Sequence, residues 1–283
     1  MAILTQEQYQ AIRAKAIGVA EAQLQGRKII SPLPVDEGVQ EYGYDKMTDM
    51  TAAEIIGKYA PGSRDKFDMT RKTKNVPILH KGFQVSRVDM KSSQRAGQPI
   101  KTVGLGRATR KVAELEDSII FKGDATYSID GVDTVAGNTA TGGLNWGSGT
   151  PTDAVNPYTD ILNASAALDD DGFEAKFLAL NPVNYAEAAK KITGSDGTWL
   201  EMIKEIVPNV LKSKTITEGT FYVGDYGEDI SELIIVENYE VLDPNVEGQL
   251  VYDFDIIDRV LPMFYEYGSV AGKSDAFLKG TGI

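Results

Sequence analysis

Two carboxylates with the spacing of a catalytic pair occur in the stretch DFDIID at positions 253–258. Alternation along a strand would place Asp253 and Asp255 on the same side. Paired carboxylates can perform general acid–base chemistry, but no nucleophile, base or oxyanion donor can be identified beside this pair. We therefore expect a solvent-facing strand edge there and no catalytic site.

Three further motifs resemble parts of known sites but lack essential members. DDDG, Asp169 to Gly172, suggests calcium, but the spaced acids and distal glutamate of an EF-hand loop are missing, so we expect a helix-ending turn. GLGRAT, Gly104 to Thr109, lacks the third glycine and the leading strand of a dinucleotide fingerprint, and we interpret it as a flexible start to a long helix. The lone His80 is predicted at the surface or in an interface.

The composition argues against most other kinds of catalytic site. The 283 residues contain no cysteine and one histidine, and no P-loop, HExxH or GxSxG motif occurs. The sequence therefore predicts no enzyme, no cofactor and no metal site. No apolar run approaches the roughly 20 residues of a bilayer span, and the opening MAILTQEQYQ lacks the pattern of a secretory signal. We expect no membrane contact, and one large domain or two closely joined ones.

Charges are strongly segregated along a chain whose net charge is −12. Between Arg64 and Lys111 there are thirteen basic and three acidic residues, whereas 112–283 contain ten basic and thirty acidic residues. Two interpretations stay open: two solvated surfaces of opposite sign, or a self-complementary molecule whose basic segment lies on the acidic surface of a neighbouring copy. Nucleic acid is a less favoured partner of this segment, because the acidic remainder would repel phosphate.

Amphipathic spacing predicts a helix near the N-terminus. Tyr9, Ile12 and Ala16 fall on one face at spacings of three and four residues, with Gly26 as the stop. This face must dock on the chain itself or on a partner to be stable. Further on, residues 48–75 have few large apolar side chains and many charges, which predicts an exposed excursion longer than a normal connection.

The longest element predicted from the sequence is a helix of about twenty residues ending at Gly123, a typical C-cap residue. Its apolar stripe, at spacings of three and four, consists of Leu105, Ala108, Val112, Leu115 and Ile119. Such a narrow stripe suits a helix lying across one face of a sheet. The Gly/Thr/Asn-rich stretch at 136–157 is predicted to be a loop. Strands and helices otherwise mix without regular alternation, so the predicted fold class is α+β.

Two stretches resemble encapsulins, the shell proteins of bacterial and archaeal nanocompartments. LTQEQYQAIRAKAIGVAEAQLQGRKII, at 4–30, is similar to their N-terminal helix and the glycine, Arg-Lys and strand that follow it. RKVAELEDSIIFKGDATYSIDGV, at 110–132, is similar to the end of their long helix, including the Glu-Asp pair and the apolar doublet. Encapsulins share the Hong Kong 97 (HK97) coat fold with the major capsid proteins of tailed viruses. The resemblance therefore implies that fold.

The resemblance also implies four parts: an N-terminal helix and arm at 1–45, an extended loop at 46–76, a peripheral domain with a spine helix at 77–126 and 249–283, and an axial domain at 127–248. The extended loop would reach over a neighbouring subunit, with interface residues Arg64, Lys66, Arg71, Lys72 and Lys74. The spine helix would pack through Leu105, Val112, Leu115 and Ile119. The N-terminal helix would dock through Tyr9, Ile12 and Ala16.

The implied function is a structural protein that assembles with copies of itself into an icosahedral shell. A longer loop and the Gly/Thr-rich insert depart from typical encapsulins and favour the major capsid protein of a tailed virus or provirus. Such a capsid would assemble in the host cytoplasm, enclose DNA, and have portal and scaffold proteins as further partners. The alternative is an encapsulin, a cytoplasmic nanocompartment shell that encloses a cargo enzyme.

Overall fold

The structure, a computed structural model, describes residues 24–47, 50–58, 62–66, 68–95, 100–141, 146, 157–192, 196–242, 250–267 and 272–283. The helix predicted to dock through Tyr9, Ile12 and Ala16 lies outside these residues. Most of the described chain belongs to three β-sheets and the helices packed on them. No helix within the described ranges combines the length and apolar character needed to cross a bilayer.

Strands and helices alternate irregularly along the chain, as the predicted α+β class requires. The strands are β1 (Ser31–Pro34), β2 (Glu41–Met47), β3 (Met69–Asn75), β4 (Leu79–Ser86), β5 (Ala136–Thr141), β6 (Phe177–Leu180), β7 (Asn209–Lys212), β8 (Thr220–Gly224), β9 (Ser231–Leu242), β10 (Val251–Phe264) and β11 (Ser274–Thr281). The helices are α1 (Arg87–Arg95), α2 (Ile100–Lys122), α3 (Val132–Val135), α4 (Pro157–Asp170), α5 (Pro182–Ala188) and α6 (Trp199–Ile206), and a 3-10 turn covers Gly26–Lys28.

The three sheets differ in size and in strand order. The first has the order β1-β9-β10-β4, the second β5-β11-β8-β6-β7, and β2 pairs only with β3 in a two-stranded ribbon. Pairing crosses the predicted domain ranges at two strands. β9, from within 127–248, lies in the first sheet, and β11, from within 249–283, lies in the second.

Helix α2 is packed against β4 and β10 of the first sheet, and the apolar residues between them form one buried core. On the second sheet, α4 and α6 pack on each other over a second core that includes Ile161, Leu168 and Ile203. Burial on both sides explains why the central strands β6 and β8 are almost entirely apolar and inaccessible.

Two predictions from the sequence about strands differ from the structure. The stretch that begins at Ala136, predicted as loop, forms β5, because it pairs in parallel with β11 from the far end of the sequence. From Asp255 onward β10 is paired with both β9 and β4, so most of DFDIID does not lie at a sheet edge, whereas Asp253 and Phe254 pair with β4 alone among the described strands. Its two first carboxylates nevertheless reach solvent, with Asp253 exposed and Asp255 half-exposed.

Candidate functional site

The long helix α2 ends at the predicted residue but begins earlier than its apolar stripe. Gly123 adopts the left-handed conformation, with φ at +73°, and its N–H donates to the carbonyl of Ile119 at 2.8 Å. Because the helix starts at Ile100, GLGRAT lies inside it, and the predicted flexible start is wrong. Gly104 serves close packing instead: a Cβ there would lie 2.5 Å from the ring of Phe83 on β4.

The buried face of α2 contains Leu105, Val112 and Ile119, each at most 4% exposed. Leu115 is 44% exposed, which contradicts its predicted packing role within the chain. The reason lies in the neighbouring positions. Glu116 and Asp117 turn inward and are buried, so the helix is rotated away from the centre of its apolar stripe and Leu115 is carried to the solvent side.

The carboxylate of Asp117 holds two other segments of the chain against α2. One oxygen accepts the backbone N–H groups of Gln25 and Gly26 at 3.0 and 2.7 Å, and the other accepts the hydroxyls of Ser213 and Thr215 at 2.6 and 3.3 Å. A buried carboxylate needs such a complete set of donors to offset its loss of hydration. Asp117 therefore fixes the segment at 25–26 and the loop after β7 against α2.

Glu116 anchors a second buried polar cluster on the same helix turn. Its carboxylate accepts two hydrogen bonds from the guanidinium of Arg27, at 2.6 and 3.1 Å, and one from the hydroxyl of Tyr239. Arg27 also donates to the side chain of Asn238 at 3.1 Å. The cluster joins the segment before β1 to α2 and β9, which are 89 or more residues apart in sequence.

Asp258 on β10 completes this cluster as a second buried acid. It is fully buried, and its Oδ2 lies 4.0 Å from Arg27 with no hydrogen-bond partner among the described atoms. Burial, followed by repulsion from Glu116, raises the pKa of Asp258 to about 8. One guanidinium therefore faces two carboxyl groups, and Asp258 holds a proton at neutral pH.

The backbone around this cluster is irregular. Tyr239 adopts φ of +46°, an uncommon value for a residue other than glycine, and the β9–β10 register shifts between Ile257 and Val260. A β-bulge commonly redirects a side chain inward. Here the irregular stretch carries Tyr239 and Asp258 towards Glu116. Nothing in the sequence predicts this cluster, because two acids on a helix give no sign that their partners lie in remote strands.

The two-stranded ribbon pairs β2 with β3 from Glu41↔Asn75 to Met47↔Met69. Seven residues extend over roughly 24 Å at the rise of an antiparallel strand. Its described side chains are exposed or half-exposed. The extended loop predicted at 46–76 therefore includes all of β3 but only the last two residues of β2, which begins at Glu41.

Three ion pairs hold the ribbon against its own chain. Glu266, just after β10, accepts hydrogen bonds from Lys46 at 2.8 Å and from Lys72, while Asp130 accepts one from Lys74. Partial burial disfavours the charge of Glu266, but the two lysines outweigh it and hold the pKa of this carboxyl at about 2. Of the predicted interface residues, Lys72 and Lys74 thus have partners within the subunit.

The loop between the ribbon strands is braced internally and carries apolar side chains in solvent. Asp65 accepts the backbone N–H of Thr51 at 2.8 Å and its hydroxyl at 3.0 Å, and Ser63 donates to Glu54 at 2.6 Å. The braced stretch exposes Ile55 fully and Ile56 by half. The remaining predicted interface residues are exposed and make no ion pair with the described residues: Arg64, Lys66 and Arg71.

The motifs that could suggest chemistry have structural roles. His80 lies on the exposed side of β4, with Nε2 2.8 Å from the Asp255 carboxylate. DDDG ends α4, and Gly172 adopts φ of +83° in the turn, as predicted. Within the described ranges, no three acidic or histidine side chains are grouped so that they would hold a metal ion.

Solved structures of shells have the same architecture. A virus-like particle protein from Pyrococcus furiosus aligns over 96% of this chain and 98% of its own, with a TM-score of 0.70 and 13% identity. The capsid protein of the myovirus phage XM1 aligns over 90% of both chains, with a TM-score of 0.68 and 13% identity. At such identities the likeness shows the fold. The sheet crossed by a long helix and the attached ribbon thus define the HK97 class of coat protein.

Sequence comparison gives the family within that class. The profile of the Linocin_M18 family, described as encapsulating protein for peroxidase, matches residues 1–241, and the chain belongs to this family. A curated relative, the type 1 encapsulin shell protein EncA of Myxococcus xanthus strain DK1622, is 26% identical over 207 residues, which cover 72% of this chain and 70% of EncA. The chain is therefore a shell-forming protein of the encapsulin and HK97 capsid type.

Proposed function

We propose that copies of this chain close into an icosahedral shell through the ribbon, which lies over a neighbouring subunit. The observation that carries this proposal is the braced loop that exposes Ile55 and Ile56. A soluble monomer gains nothing by holding large apolar side chains in water, whereas exposed apolar residues commonly mark protein contacts. Arg64, Lys66 and Arg71 around them would meet the acidic surface of that neighbour, a heterologous contact that closes by symmetry.

In this proposal, each predicted part is assigned to particular strands and helices. The ribbon and its loop correspond to the extended loop, α2 to the spine helix, and the first sheet to the peripheral domain. The second sheet, including β11, corresponds to the axial domain around the symmetry axes. The protein itself would catalyse no reaction, in keeping with the shell proteins that it resembles.

For the contents, we propose the DNA of a tailed virus or provirus, with portal and scaffold proteins as assembly partners and the host cytoplasm as the place of assembly. The long loop and the insert at 136–157 support this choice. A second candidate is a cytoplasmic nanocompartment that encloses an enzyme, and the family's description as encapsulating protein for peroxidase favours it.

Assembly and contents are tested on particles purified from the producing cells. Negative-stain electron microscopy and light scattering should show closed shells. A monomer that stays stable at high concentration would contradict the shell proposal. Nuclease-protected DNA in the particles would support the viral contents, whereas a co-purifying enzyme in DNA-free particles would favour the nanocompartment.

A further inference from the structure

The solvent side of α2 concentrates positive charge in a chain whose net charge is −12. Arg107, Arg110 and Lys111 are all exposed and lie within about one helical turn of each other. Lys212 and Lys214, exposed at the end of β7 and just after it, adjoin them. These five residues are called the cationic face.

Contacts around Glu114 bring three side chains of the cationic face together. This carboxylate accepts hydrogen bonds from Arg110 at 3.3 Å, Lys111 at 2.7 Å and Lys214 at 2.6 Å. The bonds from Lys111 and Lys214 hold the pKa of Glu114 at about 2, so one negative charge is shared by three positive ones. Their side chains remain 55–64% exposed, so each keeps donors free for another partner.

A cavity of about 380 Å³ opens beside these side chains. Arg110, Lys212 and Lys214 line it together with Tyr185, whose ring centroid lies 5.4 Å from the Lys212 ammonium. Asp117 also lines the cavity, but its oxygens are already occupied by four donors. Three basic and two acidic side chains line this concave surface, which leaves one positive charge in excess beside an aromatic wall. Arg107 and Lys111, exposed on the adjoining side of α2, raise the local excess to three.

The cationic face and the ribbon loop suit different kinds of partner. Protein contacts are rich in aromatic and aliphatic side chains and poor in lysine, as the exposed isoleucines of the ribbon loop illustrate. Interfaces with nucleic acid are strongly positive, and single strands add stacking on aromatic rings. We propose that the cationic face binds the phosphate backbone of nucleic acid, with Tyr185 available to stack on a base.

The acidic remainder of the chain does not prevent such binding. Exposed charges further apart than about 8 Å are largely screened at physiological ionic strength, so a phosphate on α2 responds to the local excess and not to the net charge of −12. This inference rests on the proposed function, because a shell that encloses DNA presents a polyanion to its subunits. It adds the residues that would receive that polyanion.

The test is a titration of subunits, dissociated from shells, with a fluorescein-labelled 20-nucleotide DNA strand at 50 and 200 mM NaCl. Contacts with about four phosphates predict a salt slope near −2.8, which means about 50-fold weaker binding at the higher salt. The triple variant Arg110→Gln, Lys111→Gln and Lys212→Gln keeps only Arg107 and Lys214 of the cationic face, so with at most about two contacts left the same change of salt should cost about sevenfold or less. The variant Arg64→Gln, Lys66→Gln and Arg71→Gln removes the same charge from the ribbon and should bind like the wild type.

Three outcomes overturn the inference. They are no DNA binding at 50 mM NaCl, equal loss in the two triple variants, and equally tight binding of poly-glutamate, which would indicate an acidic protein surface as the partner. Microscopy of the same preparations separates this question from the proposed function. Shells that form normally but bind no DNA would refute only the cationic face, whereas a wild type that never assembles would refute the shell.

Discussion

The buried acid pair makes stability depend on pH in a predictable direction. In the folded chain Asp258 keeps its proton up to a pKa of about 8, whereas an unfolded aspartate loses it near pH 4. Between these values the folded state binds one more proton than the unfolded state, so the free energy of unfolding falls as pH rises. Because the proton is already half lost at pH 8, the change between pH 6 and pH 8 amounts to roughly 2 kcal/mol.

The variant Asp258→Asn should remove this dependence. The amide is neutral at every pH, and its oxygen can still accept the backbone N–H of Tyr239, which lies 3.4 Å from Asp258 Oδ1. For a chain of this size, roughly 2 kcal/mol corresponds to a Tm lower by about 4 °C at pH 8 than at pH 6. The wild type should show this decrease, and the variant should show little of it.

The assay is thermal unfolding of intact particles, followed by intrinsic fluorescence at half-unit steps from pH 6 to pH 8. Asp253→Asn, an exposed carboxylate on the same strand, is the matched control and should keep the wild-type slope. If the wild-type Tm is constant over this range, or if Asp258→Asn falls as steeply as the wild type, Asp258 does not hold a proton and the account of the cluster is wrong.

Three further predictions concern the ribbon and α2. Ile55→Asp should abolish particles in light scattering, while the free energy of unfolding of the subunit stays within about 0.5 kcal/mol of the wild-type value. Normal particles would contradict the docking role of the loop. Glu266→Gln removes the charged acceptor of Lys46 and Lys72, which should cost about 1 kcal/mol and speed tryptic cleavage within the ribbon; Glu41→Gln, exposed on the same ribbon, should leave the cleavage rate unchanged. Gly104→Ala should lower the free energy of unfolding by about 1–3 kcal/mol, because the added methyl group meets the Phe83 ring, whereas Gly106→Ala, with open space in the same helix, should raise it by about 0.5–1 kcal/mol. If both variants raise the free energy of unfolding, helix propensity outweighs the close approach of α2 to β4, and the account of Gly104 is wrong.

The features that depend only on neighbouring residues were predicted correctly from the sequence. The end of α2 at Gly123 and the turn at Gly172 follow from the left-handed conformation that glycine permits, which any reader of the sequence can anticipate. The buried stripe at Leu105, Val112 and Ile119 follows from helical periodicity. The mixture of strands and helices indicated the α+β class, and the resemblance to encapsulins supplied the HK97 fold within that class.

Distant partners account for the failures. Glu116 and Asp117 look like exposed helix acids until Arg27 and Tyr239, 89 and 123 residues away, are placed beside Glu116. Their burial rotates α2 and brings Leu115 to the surface. Likewise, Ala136–Thr141 was predicted as loop because its glycine and asparagine are typical of turns, and it becomes a strand by pairing with β11.

The position of β11 makes the second sheet depend on a segment that is synthesised long after β5. This strand lies between β5 and β8, although more than 130 residues separate Ala136 from its partner Ser274. A nascent chain that has not yet emerged past Ser274 leaves β5 and β8 with open edges and cannot finish the second sheet. Any chain that stops before Ser274 would therefore lack the strand that joins β5 to β8 and would expose both of their edges.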